Sequence, residues 1–190
     1  MNYYWKRIEL ENLDIIRERT LNFLKTETNH LERSKFKGPF VNLKQYRFLD
    51  RVPEISQSLR KLGLFPDDAS IYVTYLNKDS VPHKDYTDSI GRVNIPILNY
   101  EGTFTTFYAN VKAQRLVLPT GAPFYMTSNK DYYEVDKMPF DYPAIVRISE
   151  GHNIIMDESR TPRVTLTIST TPDAGLLLDD QPLISSSVNS

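Results

Sequence analysis

Two histidines, one aspartate and two arginines carry the most distinctive chemistry in this 190-residue sequence. The stretch VPHKDYTDSIGRVNIPI, residues 81–97, holds His83 and, two positions on, Asp85. On an extended chain, residues i and i+2 point the same way, so the imidazole and the carboxylate share a side. Neutral imidazole together with carboxylate suits first-row divalent metals. Two protein ligands hold such an ion poorly, so a third is needed. The one other histidine in the strand-rich region is His152, 69 residues after His83. Two histidines and a carboxylate on one face of an ion leave the opposite face open, which is the facial arrangement of non-haem Fe(II) oxygenases. Eleven residues after His152, Arg163 opens the alternating segment RVTLTIS. An isolated H-x-D is weak evidence, and a lone histidine is more often a surface or capping residue. The joint pattern is more specific: H-x-D between strands, a distal histidine, then an arginine opening the next strand.

These residues need elements to position them. From Ala69 onward the chain reads SIYVTYL, GRVNIPI, GTFTTFYA, QRLVLP, APFYMTS, DYYEVD, AIVRIS, HNIIM and RVTLTIS. These segments are short, rich in β-branched and aromatic residues, and separated by turn-formers, as strands are. No helical pattern interrupts them, which argues against a parallel βαβ sheet. The expected architecture is mainly β with N-terminal helices, an antiparallel sandwich or jelly roll with the helices packed outside it. In RVTLTIS, Arg163, Thr165 and Thr167 share one face and Val164, Leu166 and Ile168 the other. Arg92 and Asn94 oppose Val93 and Ile95 in the same way, and Tyr72 and Thr74 oppose Ile71 and Val73. Alternation alone fits either a wet outer face or a polar pocket inside a barrel.

Two helices precede the strands. Residues 12–29 place Leu13, Ile16, Phe23 and Leu24 on one face. In VPEISQSLRKLG, Pro53 suits a first turn, Ile55, Leu59 and Leu62 form a stripe, and Gly63 suits the C-terminal cap. The segment GPFVNLKQYRFL between them reads as extended. His30, at the end of the first helix, reads as a surface or capping residue. The expected organisation is one domain over residues 1–171, with a helical part at 1–66 and a β core at 69–170. A loosely ordered extension, 172–190, follows.

Composition narrows the classes. A net charge of −1 gives no field to attract nucleic acid or an anionic membrane. Cysteine is absent, so disulfides, thiolate metal sites and cysteine nucleophiles are excluded. No stretch approaches a membrane span, and charges occupy the N-terminus where a signal peptide needs an apolar run. The expectation is a soluble, cytoplasmic protein. G-x-S-x-G and the phosphate-binding P-loop are both absent from the sequence.

His83-Lys84-Asp85, His152 and Arg163 resemble the H-x-D…H…R signature of the 2-oxoglutarate/Fe(II)-dependent oxygenases. GRVNIPI and HNIIMDESRTPRVTLTI look most like the aspartyl/asparaginyl β-hydroxylase-like branch, which has an arginine nine residues after the first histidine, where Arg92 stands. The resemblance covers about residues 69–170. It departs from that branch in three ways: Asp85 is present, the spacing from His152 to Arg163 is one residue longer, and Asn94 stands where a histidine is frequent. The resemblance implies a double-stranded β-helix, a cupin-like jelly roll. It implies Fe(II) on His83, Asp85 and His152, and 2-oxoglutarate as cosubstrate with its distal carboxylate on Arg163. Arg92 and Asn94 would hold the other carboxylate or the substrate, and Tyr72 or Thr74 would donate a hydroxyl to the cosubstrate. The implied reaction uses O2 to hydroxylate an unactivated C–H bond of a small molecule or protein side chain, releasing succinate and CO2. Two other functions compete: a jelly-roll binding module without catalysis, and a cupin-like metalloenzyme that does not use 2-oxoglutarate. The aromatic stretch 124–143 reads as strand packing or as a wall beside the site.

Overall fold

The structure, a computed structural model, describes residues 3–28, 31, 40–75, 82–85, 88–117, 123–156 and 160–179. Twelve strands are described: β1 (Trp5–Arg7), β2 (Phe40–Asn42), β3 (Phe65–Thr74), β4 (His83–Lys84), β5 (Gly91–Leu98), β6 (Phe104–Ala109), β7 (Ala113–Val117), β8 (Pro123–Thr127), β9 (Tyr133–Pro139), β10 (Ala144–Arg147), β11 (Gly151–Ile155) and β12 (Arg163–Thr171). Among the described residues, each of the nine segments read as a strand contains one. They form two antiparallel six-stranded sheets, ordered β1-β10-β5-β12-β3-β2 and β7-β8-β4-β11-β6-β9. Strands alternate between the two sheets along most of the β region, which makes the fold a jelly roll.

Three helices are described: α1 (Leu13–Glu27), α2 (Phe48–Arg51) and α3 (Pro53–Lys61). Ile16, Phe23 and Leu24 of α1 and Ile55 and Leu59 of α3 are buried against Ile71, Val73, Val93, Ile95, Leu166 and Ile168. The helices therefore cover the apolar face of the first sheet. This packing supplies most of the helices' stability, since helices this short are marginal alone. At the end of α3, Gly63 takes φ +75 and its N–H bonds to the Arg60 carbonyl, while the Leu64 N–H reaches back to Leu59. That pattern is a Schellman cap, where a left-handed residue is needed and glycine costs least. Leu62, expected in the buried stripe, is exposed because the chain turns there, and Leu64 is buried in its place.

The N-terminal third departs from the expectation in detail. Among its described residues, GPFVNLKQYRFL is extended only at β2; a 3-10 helix at Lys44–Tyr46 and the short α2 follow. β1 and β2 join the two edges of the first sheet, so residues before 66 contribute strands as well as helices. Residues 172–179 also differ from the expected loose extension. Residues Ala174–Leu178 form a 3-10 helix with Ala174 and Leu178 fully buried. No periodicity marks it, because one turn is too short to show any. His30 and residues 180–190 lie outside the described residues.

Gly91 and Gly175 meet back to back at the junction of β5 and this 3-10 helix. A Cβ on Gly91 would lie 2.7 Å from the Gly175 Cα, which is backbone and cannot swing aside. Gly91→Ala is therefore expected to cost about 1–3 kcal/mol, the range for overpacking a closed contact. Urea unfolding measures this; an unchanged midpoint would contradict the contact.

Candidate metal centre

The polar faces of the first sheet turn inward. Ala144 and Val146 pair with Asn94 and Arg92, and so share their face. They are buried together with Phe107, Met138 and Phe140 from the opposite side. Tyr72, Thr74, Asn94, Thr165 and Thr167 are cross-strand neighbours on this same inner face. The alternation that left two readings open thus lines a chamber between the sheets.

On the second sheet, a row of direct register partners runs Gln114, Met126, His83, His152, Phe107 and Asp136. Direct partners project from the same face. His83 and His152 are therefore neighbours because β4 pairs with β11, not because of their spacing in sequence. Their rings lie 4.6 Å apart between centroids. Asp85 Oδ1 is 3.8 Å from His83 Nε2 and 3.9 Å from His152 Nε2. One donor atom from each residue lies within 4.8 Å of the others, a span that a single metal ion can bridge. The two imidazoles are largely enclosed, while the Asp85 side chain is 39% exposed. The centre is therefore open on one side.

The ring of His152 is oriented by its own strand. Its Nδ1 is 2.9 Å from the Glu150 carbonyl. A carbonyl can only accept, so Nδ1 carries the proton and Nε2 is left with a lone pair directed at the centre. The Asp85 N–H donates to the Ile148 carbonyl at 3.2 Å.

Arg163 lies at the other end of the chamber. It is 1% exposed, and its guanidinium lies 4.4 Å from the centroid of the Phe140 ring. Phe140 follows Pro139, which pairs with Phe104, which pairs with Ile155, three positions from His152. One position beyond that level, the Phe140 backbone lies about 13 Å along the sheet from the histidine row. Among the described residues, Arg163 Nε and Nη1 have no hydrogen-bond partner. Desolvation lowers the Arg163 pKa to about 10, while Tyr72 acts weakly in the opposite sense. The group is thus still a cation at neutral pH. Burying such a cation without an anion is costly, and natural structures pair it.

Other unpartnered buried atoms cluster on the same face: Thr74 Oγ1, Thr165 Oγ1, Arg92 Nε and Asn94 Oδ1. Tyr72 pairs with Thr165. Burial raises its hydroxyl pKa; Arg163 opposes that shift and Asp85 adds to it. It is therefore a neutral phenol within electrostatic reach of both the guanidinium and the triad carboxylate. Asn94 pairs with Thr167, four positions or about 13 Å from Arg163, and Arg92 lies two positions further on. Arg92 pairs with Val146, close to the Ile148 carbonyl that holds Asp85. The two arginines thus occupy opposite ends of the inner face, with Arg92 at the triad end.

The donor set and the unpartnered guanidinium fit a divalent ion and a small dicarboxylate in one chamber. All eight residues singled out from sequence, Thr74 included, lie on the inner faces or at the triad. Arg160, the neighbouring arginine, instead bonds Glu101 at the surface. Phe140 and the Glu150 carbonyl were not legible beforehand. No local signal marks an aromatic that meets an arginine 23 residues away, and a backbone carbonyl has no sequence signature. Of the aromatic stretch, β8 places Met126 beside His83, while Tyr133 and Val135 of β9 are exposed. Among the described residues, no helix is long and apolar enough to cross a membrane.

No family model matches this chain, and neither does any curated protein. Among solved structures, a prolyl-4-hydroxylase from Pseudomonas putida is similar to it with a TM-score of 0.39. The two are 14% identical, and the match covers 88% of this chain and 92% of that one.

Proposed function

We propose that the protein is an Fe(II)/2-oxoglutarate-dependent dioxygenase that hydroxylates a small molecule or a peptidyl side chain. The observation that carries this reading is Arg163: a fully buried guanidinium with two unpartnered nitrogens, in the chamber that the His83–Asp85–His152 cluster closes. A metalloenzyme without a dicarboxylate cosubstrate would leave that charge unexplained.

In this reading His83, Asp85 and His152 hold the iron. Arg163 binds the distal carboxylate of 2-oxoglutarate, for which a planar guanidinium is suited by its fork of donors. Tyr72 donates its hydroxyl to the cosubstrate, and Thr74 and Thr165 offer further hydroxyls beside it. Arg92 and Asn94, at the triad end, hold the second carboxylate or the substrate. Phe107, Met138 and Phe140 keep water out of the chamber, which strengthens these contacts. The iron, 2-oxoglutarate and O2 together supply the oxidising chemistry, with succinate and CO2 as by-products. The protein's own part is to fix ligand geometry, orient the cosubstrate and leave one side of the centre open.

The test is to add Fe(II) and 2-oxoglutarate anaerobically and look for the visible charge-transfer band of the chelate, then admit O2 and measure succinate. A protein giving neither band nor succinate, and no thermal stabilisation by the pair, would sink this reading. Tyr72→Phe is expected to weaken 2-oxoglutarate binding about ten-fold, the worth of one hydrogen bond to a charged group, while leaving metal affinity in place. Titrations with 2-oxoglutarate and with metal alone separate the two effects.

A further inference from the structure

We infer that Asp173 is a positioning residue for the metal centre, acting on two of its three ligands through the backbone of Ile90. The inference rests on the metal reading above. β4, which carries His83, is two residues long and meets β11 at one described register pair and β8 at two. Asp85 falls just beyond β4, so its strand gives it little support. Its backbone is instead held from the first sheet: the Asp85 N–H donates to the Ile148 carbonyl at 3.2 Å, and the Ile148 N–H donates to the Ile90 carbonyl at 3.1 Å. The Ser149 N–H also points to the Ile90 carbonyl, at 3.4 Å. Glu150, the next residue, supplies the carbonyl that orients His152. One carbonyl thus anchors both the support of Asp85 and the turn that sets the ring of His152.

Ile90 is fixed in its turn by Asp173. The Asp173 carboxylate accepts the Ile90 N–H at 2.8 Å, the Gly91 N–H at 3.0 Å and the Gly175 N–H at 2.7 Å. Three amide donors on one carboxylate pin the start of β5 to the C-terminal 3-10 helix. The contact of Gly91 with Gly175 lets the two backbones come close enough for this. The three hydrogen bonds of the Asp173 carboxylate go to backbone amides, none of them a triad residue's. Its effect on the centre passes through the Asp173–Ile90–Ile148–Asp85 chain of hydrogen bonds.

Cobalt(II) is the probe, because its visible absorption reports the ligand field and needs neither 2-oxoglutarate nor substrate. Asp173→Asn and Asp173→Ala are expected to raise the cobalt Kd about ten-fold or more, as loss of an outer-shell partner does, and to alter the band. Leu178→Ala removes a fully buried side chain from the same 3-10 helix without touching Asp173. It is expected to lower Tm at least as much while leaving the Kd within about two-fold of wild type. Should Asp173→Ala fail to fold, the isosteric Asp173→Asn carries the test. An Asp173→Asn protein whose cobalt Kd and band match the wild type would overturn the inference while leaving the metal reading intact. A Leu178→Ala protein with an equally weakened Kd would reduce Asp173 to general stability. Wild-type protein that takes up no cobalt would overturn both readings.

Discussion

Arg163→Met is expected to raise the melting temperature of the ligand-free protein and to abolish its stabilisation by 2-oxoglutarate. The first half follows from the cost of the buried charge. Burial pulls the guanidinium pKa well below its ordinary value, to about 10, a penalty on the order of 3 kcal/mol for keeping it charged inside the fold. The folded value lies below the unfolded one, so this penalty is present at every pH below about 10 and is relieved only above it. The Phe140 face returns part of it through a cation–π contact. Methionine fills a similar volume without the charge, and such replacements are often neutral or stabilising by about 1–4 kcal/mol. In a chain of this size, that corresponds to a rise of several degrees. The second half follows from the same nitrogens. A ligand at a hundred times its Kd stabilises by about 2.7 kcal/mol, and this shift should vanish when the fork is gone. Metal binding should remain, since Arg163 lies away from the triad. Melts with and without metal and 2-oxoglutarate measure both halves. Arg163→Met that melts lower and still responds to 2-oxoglutarate would show that the buried arginine is structural. Arg160→Met is the matched control: its partner Glu101 is exposed, so neither quantity should change much.

His152→Leu is expected to remove metal binding almost completely, weakening it by more than the 10–100-fold that loss of an outer-shell partner produces. Two of three protein ligands would remain, too few to hold a divalent ion firmly. Leucine keeps the volume between His83 and Phe107, whose rings lie 4.6 and 6.4 Å from that of His152. The ligand-free fold should therefore hold, with the Glu150 carbonyl left to find another donor. Cobalt or manganese titration reads the first effect and a metal-free melt the second. Retained affinity in a folded His152→Leu protein would show that the three residues cluster for another reason.

The candidate ligand types, the strand pattern and the alternation of faces were all legible in the chain. A strand's side chains have a period of two, so RVTLTIS and RVNIPI declare which residues share a face before any fold is known. The H-x-D spacing likewise places His83 and Asp85 side by side. What such a period cannot state is which face meets water, because that depends on what covers each side. Here α1 and α3 cover Ile71, Val93 and Leu166, which sends Arg163, Thr165 and Tyr72 into the interior. The same alternation on an uncovered sheet would have made a wet surface.

Tertiary structure alone decided the rest. His83 and His152 meet only because β4 and β11 pair, and pairing across 69 residues leaves no local trace. Arg163 lies on Phe140 because a strand of one sheet faces the end of the other. β1, β2 and the 3-10 helix at Ala174–Leu178 are each too short to show a period, and they form because the domain offers them an edge or an apolar seat. Asp173 reads in sequence as one more turn aspartate. Its place under Ile90 is set by the approach of two glycine backbones, a contact between distant parts of the chain that no local pattern encodes.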